Sequence, residues 1–366
     1  MSSLTRVTPL QRSTFKTPLR IVSIGGGTGL STLLSGLKKH SQGAQHPPEA
    51  GSPILDLAAV VTVSDDGGSS GRLRRDFDIL PPGDIRNCMT ALSEDEDLLS
   101  HLFQYRFASG RGLKGHSFGN LFLTAMHQIT GDFAQAVKLS SEILAIRGRI
   151  FPATSANVTL EALLSDGSVV RGESKISKSR RPIELIRLRP DDCEPLPETL
   201  DAIGKADLIT LGPGSLYTSV IPNILVKGIA RAIERASAIK GYFVNLMWQP
   251  GETINFSASK HVEALHAHAQ RKLIDCVVLN TGEIPVALTR KYARAHVKPV
   301  ENDFEKLAKL EVKVVTADLI RSTAPAQRRV RHDPEALAEV VIDLASRSRA
   351  QQVRKEALAL QRTKYR

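Results

Sequence analysis

Residues Arg20–Leu37 read RIVSIGGGTGLSTLLSGL, and this stretch decides the fold. Arg20–Ile24 is a short apolar run of strand length. Gly25, Gly26, Gly27 and Gly29 crowd the turn after it, and Leu30, Leu33, Leu34 and Leu37 then recur at helical spacing. The pattern is strand, glycine loop, helix. It is not the GxGxxG dinucleotide fingerprint, because Leu30 stands where the third glycine belongs. It is not a GxxxxGK[ST] phosphate loop either, since no lysine follows.

The same alternation continues outward. Leu57–Val63 reads as a second buried strand, and Pro81–Pro82–Gly83–Asp84 opens a helix with Asp84 as its N-cap. Helical spacing follows over 95–107, 117–130 and 132–146. Strands are expected at Asp207–Leu211, Tyr242–Met247, Cys276–Leu279 and Val312–Thr316, between helices at Ile224–Arg235, Lys260–Gln270 and Val286–His296. A long helix closes the chain over 334–364. The middle differs: Val158–Leu164, the turn Asp166–Gly167 and Val169–Ile176 read as a β-hairpin, with Ile183–Leu188 as a third strand. The fold class is therefore α/β: a doubly wound, mostly parallel Rossmann-like sheet with an inserted antiparallel β-hairpin region. We expect a basic flexible tail at 1–18, one α/β domain at 19–345 with its β insertion at about 150–190, and a basic helical extension at 346–366. No internal repeat is visible.

Composition narrows the function. Of 366 residues, 42% are hydrophobic and 24% charged, which excludes disorder, collagen-like repeats and a coiled-coil rod. No apolar run reaches the roughly 18 residues of a membrane span. Cys88, Cys193 and Cys276 stand alone, without a CxxC pair, which suits a reducing compartment. The first residues lack an apolar core of the secretory type, so a cytoplasmic protein is expected. The net charge is +11, but the two ends hold +10 of it and residues 21–319 are nearly neutral. With aromatic residues at 5%, a nucleic-acid partner is not expected.

Ligands of open parallel sheets bind at the carboxyl ends of strands. Four strand-end loops are rich in glycine, hydroxyl or carboxylate groups: GGGTGLS (25–31), SDDGGSSG (64–71), GPGSLYTS (212–219) and QPGET (249–253). Gly25, Gly26, Gly27, Thr28 and Gly29 suit close approach of a phosphate to backbone N–H groups. Asp65 and Asp66, with Gly67 and Gly68, end a strand, and Asp84 follows the PPG turn. Asp65 with Asp84 could hold Mg²⁺ beside substrate phosphates. Equally, Asp65 could cap a turn and Asp84 a helix. Gly212, Gly214 and Ser215 supply the third loop. His116 and Asn120, in GHSFGN, lie beside a helix start. His266 and His268 are two apart, so they face different sides of one helix and make a poor metal pair.

GGGTGLSTLLSGLK, VTVSDDGGSSGRLR, PPGDIRNCMTALS, GHSFGNLFL, DGSVVRGES, LGPGSLYTSVIPNILV and QPGET with HVEAL beyond it resemble the YvcK-like gluconeogenesis factors of the CofD-like superfamily, whose enzyme branch is 2-phospho-L-lactate transferase. The resemblance runs from about residue 20 to 345. It implies a Rossmann-like sheet with a ligand cleft and a cytosolic role in cell shape and envelope homeostasis on gluconeogenic carbon sources. It also implies a UDP-sugar ligand such as UDP-N-acetylglucosamine, without certain turnover. On that resemblance Tyr292, in RKYARAHVKPV, would stack on uracil and Arg331, in VRHDP, would clamp a diphosphate. Asn87 belongs to the matching PPGDIRN segment. A protein that regulates envelope synthesis is the implied partner, and a homo-oligomer is compatible. The enzyme branch carries an Asp-Leu-Asp run where this chain reads Gly83–Asp84–Ile85–Arg86–Asn87, with one carboxylate and a cation beside it. That departure argues against phospholactyl transfer and leaves a Mg²⁺-dependent transferase as the alternative.

Overall fold

The computed structural model describes residues 5–6, 15, 17–41, 53–94, 101–320 and 329–364. The strands are β1 (Thr5–Arg6), β2 (Leu19–Gly25), β3 (Leu55–Val61), β4 (Arg149–Pro152), β5 (Thr159–Leu164), β6 (Val169–Arg171), β7 (Ile183–Arg189), β8 (Leu208–Leu211), β9 (Ile239–Phe243), β10 (Cys276–Asn280) and β11 (Lys313–Ala317). One sheet runs β1-β11-β10-β9-β8-β2-β3-β4 with every pairing parallel, and a second runs β6-β5-β7 antiparallel. From β2 the chain winds outward through β3 to β4, then crosses back to β8 and winds the other way to β11. This is the doubly wound, mostly parallel α/β class with its antiparallel insertion.

The pattern follows from burial on two faces. All residues of β2 and β3 but one each are buried, because helices cover both sides of the sheet. Helix α1 (Gly27–Lys38) turns Leu30, Leu33, Leu34 and Leu37 into that core, each with 0% exposure. The insertion instead alternates: Ile183, Ile186 and Leu188 of β7 point inward while Glu184, Arg187 and Arg189 point out. On its outer face Glu161 pairs with both Arg171 and Arg189 across three strands.

The C-terminal helix Pro334–Lys364 is docked for its first half. Buried Asp207, at the foot of β8, accepts from Arg349 at 2.7 and 2.5 Å and from the Arg20 backbone N–H at 2.7 Å. Burial pushes this carboxyl up, but Arg349 and Arg20 outweigh it and hold it below its ordinary range.

Several boundaries differ from expectation for local reasons. Arg149–Pro152 pairs with β3 in the parallel sheet and is not part of the insertion. Val169–Ile176 is a strand only to Arg171, since Gly172 takes φ +95° and Glu173–Ile176 form a single helical turn. Ile224–Arg235 is broken at Gly228, and a π-helix at Leu216–Val220 precedes it. Tyr242–Met247 leaves the sheet after Phe243. Asp84 is not an N-cap: helix α3 spans Gly83–Leu92, Pro82 is its cap residue, and Asp84 lies in the first turn. In 95–107, residues 101–104 are helical, 105–107 are not, and 95–100 lie outside the described residues.

Candidate functional site

The connections from β2 and β8 leave the sheet in opposite directions, so the crevice between their carboxyl ends is the switch point of the fold. The glycine loop follows β2 and the Gly212–Ser215 loop follows β8. The Gly25 carbonyl is held by the Thr62 N–H at 3.0 Å and by Asn223 Nδ2 at 3.2 Å. Gly27 then takes φ +62°, a conformation that glycine adopts without the steric penalty of a β-carbon. A β-carbon on Gly29 would stand 2.3 Å from the Pro213 carbonyl oxygen, so the two loops interlock backbone to backbone. Asp84 takes the N–H of Gly27, the first residue of α1, while the N–H groups of Thr28 and Gly29 have no acceptor among the described residues. Helix start and dipole together favour an anion there.

These groups open into a cleft of about 600 Å³ whose lining includes Gly26–Gly29, Pro213–Ser215, Asn245–Pro250, Tyr292 and Arg331. The Tyr292 hydroxyl accepts from the Val330 N–H at 3.3 Å, which fixes the ring against the segment that carries Arg329 and Arg331. Both arginines are exposed into the cleft. Trp248 forms part of the apolar wall, with its indole N–H donated to the Phe256 carbonyl at 2.9 Å and Lys298 5.8 Å above its ring. Gln249 ties two loops together, donating from Nε2 to Ser215 Oγ at 2.8 Å and accepting from Asn245 Nδ2 at 3.1 Å. His332 lies beneath, its imidazole pushed down to about 4 by burial and thus neutral at pH 7.

A second group of side chains lies behind the glycine loop. The Gly27 N–H donates to the Asp84 carboxylate, and burial, reinforced by Asp65, raises Asp84 to about 6. Asp65 accepts from the Gly67 N–H at 2.8 Å and is also pushed up, first by burial. Glu173 is raised well above the carboxylate range by burial and then by the charges of Asp65 and Asp84. Asp66 faces elsewhere: it accepts from the Ser174 N–H at 2.8 Å and anchors the insertion. Arg86 extends beside Asp84 but gives its hydrogen bonds to Ser117, Asn120 and Asn87. His116 Nδ1 and Asn120 Nδ2 both meet Ser69 Oγ, at 3.0 and 3.1 Å. His116 and Asn120 therefore pack against helix α2 (Gly68–Phe77), Gly67–Gly68 form its start, Asn87 is bound to Arg86, and none of them lines the cleft. Among the described residues no group of three or more His, Cys, Asp or Glu side chains is arranged to hold a metal ion. His266 and His268 each accept a backbone N–H, from Ile274 and Ile186 respectively.

The structure thus brings Gly26–Gly29, Gly214, Ser215, Tyr292 and Arg331 to one cleft, with Gly25 and Gly212 at the strand ends behind them. Asn245, Trp248, Ser219 and Arg329 join them in the same cleft. Arg329 shares its segment with Arg331 and was legible there; Asn245 and Trp248 carry no motif. Glu252, of the QPGET loop, is buried and accepts from the Tyr217 N–H and the Thr218 hydroxyl; burial raises it to about 7. A larger cavity, about 750 Å³ beside β4, contains none of these groups.

Fold and cleft define a doubly wound α/β protein with an anion-receptive switch-point crevice. The chain matches the family described as 2-phospho-L-lactate transferase CofD over residues 21–320, and it belongs to that family. Within it the chain is 46% identical to the gluconeogenesis factor of Bacillus subtilis over 89% of this chain and 98% of that protein. It is 44% identical to a putative gluconeogenesis factor of Aquifex aeolicus over 89% of this chain and 96% of that one. A crystal structure of a Bacillus halodurans protein superposes with a TM-score of 0.82 at 43% identity, covering 89% of this chain and 100% of that one. The gluconeogenesis-factor branch, YvcK-like within the CofD family, is the group to which its sequence is similar over most of its length. No helix among the described residues is long and apolar enough to cross a membrane.

Proposed function

We propose that the cleft binds a UDP-sugar, UDP-N-acetylglucosamine or a close relative. The chain then acts in the cytoplasm as a regulatory factor that couples nucleotide-sugar supply to cell-envelope synthesis and cell shape during gluconeogenic growth, through a protein partner. One observation carries the reading. Tyr292 and Arg331, far apart in sequence, line the same cleft as the start of α1, where the Thr28 and Gly29 N–H groups are open. A tyrosine ring, two guanidinium groups and free backbone N–H donors are the parts that a pyrimidine diphosphate requires. The loop spacing that departs from GxGxxG disfavours NAD. Calorimetry with UDP-N-acetylglucosamine and NAD tests this: UDP-sugar should bind and NAD should bind more weakly, and tighter NAD binding sinks the proposal.

A second reading, a transferase that acts on a nucleoside-diphosphate-linked donor with Mg²⁺, would draw on the adjacent carboxylates Asp65 and Asp84. Asp65→Asn separates the two. A regulatory pocket loses little affinity, equally with and without Mg²⁺, whereas a catalytic one loses Mg²⁺ dependence and turnover together.

A further inference from the structure

A cavity of about 560 Å³ opens at the carboxyl ends of β9 and β10, next to the cleft described above. The two share Asn245 and Leu246, so a ligand seated on the glycine loop can continue across that wall. The second cavity has no arginine, lysine or glycine-loop N–H group in its lining; its polar residues are amides, hydroxyls and Glu283. Their hydrogen-bond inventory is lopsided. Asn245 spends Nδ2 on Gln249, and Asn302 spends Nδ2 on the Asn280 carbonyl at 2.9 Å. The Asn245 Oδ1, the Asn302 Oδ1, the Thr281 hydroxyl and the Glu283 carboxylate have no partner among the described residues. With the amide orientations that the network imposes, what remains is a set of acceptors and one hydroxyl.

The loop that carries them is held from both sides. Asn280 Oδ1 accepts from the N–H groups of Gly282 at 3.1 Å and Leu319 at 2.9 Å, which ties the ends of β10 and β11 together. Asn245 is linked through Gln249 to Ser215 of the β8 loop. The subsite is therefore in fixed register with the anion-binding end of the cleft.

We infer that this cavity is the sugar subsite of the proposed nucleotide-sugar site. It is built to accept hydrogen bonds from a neutral polyhydroxyl ring and to exclude an anionic one. Hydroxyl and amide N–H groups of a hexose or N-acetylhexosamine are donors, which match the unpaired acceptors. The Glu283 carboxylate would repel a uronic acid or a sugar phosphate. The inference rests on the UDP-sugar reading above and adds which part of the ligand goes where.

The experiment compares UDP, UDP-glucose and UDP-glucuronate by calorimetry on the full chain and on Thr281→Val and Glu283→Gln. Both residues are exposed on the rim, and thermal denaturation checks that each variant folds. Wild type should bind UDP-glucose about tenfold tighter than UDP and UDP-glucuronate more weakly than UDP-glucose. Thr281→Val should lower UDP-glucose affinity about three- to tenfold and leave UDP unchanged. Glu283→Gln should narrow the gap between UDP-glucose and UDP-glucuronate. If UDP binds but the sugar adds nothing, or if the variants weaken UDP and UDP-glucose alike, the subsite is wrong and the nucleotide cleft survives. If neither UDP nor UDP-glucose binds wild type, the parent reading fails and takes this one with it.

Discussion

Gly27 and Gly29 stand two residues apart, and replacing each with alanine should have opposite consequences. At Gly27 a β-carbon finds open space: the nearest neighbouring protein atom is Ser219 Oγ at 3.7 Å. The penalty there is conformational. A left-handed φ of +62° costs a non-glycine residue about 1–2 kcal/mol, so Gly27→Ala should fold with that modest loss. The new methyl group, however, stands at the mouth of helix α1, where a diphosphate must approach the open Thr28 and Gly29 N–H groups. A hydrogen bond to a charged group is worth about 1.5–3 kcal/mol, so losing one weakens binding by roughly ten- to hundredfold. At Gly29 the β-carbon would meet the Pro213 carbonyl oxygen at 2.3 Å, and the β8 loop would have to shift. Gly29→Ala should therefore lose more stability than Gly27→Ala. Urea denaturation measures both stabilities, and calorimetry with UDP-N-acetylglucosamine measures affinity. A folded Gly27→Ala protein that binds at wild-type affinity would falsify the placement of the diphosphate on this loop, and a Gly29→Ala protein of unchanged stability would refute the interlocking of the two loops.

Two further predictions concern stability. Asp207 is fully buried between Arg349 and Arg20, so Arg349→Ala leaves a buried charge half-compensated and should cost about 3 kcal/mol in urea denaturation; deletion of residues 350–366, which spares this contact, should change neither stability nor ligand affinity by a comparable amount. Glu252 has an ordinary pKa of 4.5 and is raised to about 7 by burial, so the native state holds a proton that the unfolded chain releases. Its contribution is complete below about pH 4.5 and is lost as pH rises toward 7, on the order of 3 kcal/mol in all. Glu252→Gln can keep both hydrogen bonds, with Oε1 accepting from Tyr217 and Nε2 donating to Thr218. It should therefore flatten the fall in melting temperature between pH 4.5 and 7, and a wild-type profile already flat over that range would contradict the buried carboxyl's role.

The sequence by itself determined the sheet class and the place of the anion-binding loop, because both are written in local patterns. Two-sided burial makes a parallel strand a continuous apolar run, a helix repeats every three to four residues, and a tight strand-to-helix turn needs glycine. The seven motifs also sufficed to find the family. Local pattern failed where a single residue changes the backbone direction for a distant partner. Gly172 ends β6 so that the Ser174 N–H can reach Asp66, and Arg149–Pro152 looks like insertion until it pairs with β3. The aspartates show the same limit. Asp65, Asp66 and Asp84 read alike as carboxylates at strand and helix ends, yet Asp66 turns to the insertion while Asp84 packs behind Gly27, and only the packing separates them. Asn245, Trp248 and Thr281 carried no signal at all, since a lone amide, indole or hydroxyl has no period or spacing. They matter because parallel strands far apart in sequence end on one edge of the sheet, and that convergence is a property of the tertiary structure alone.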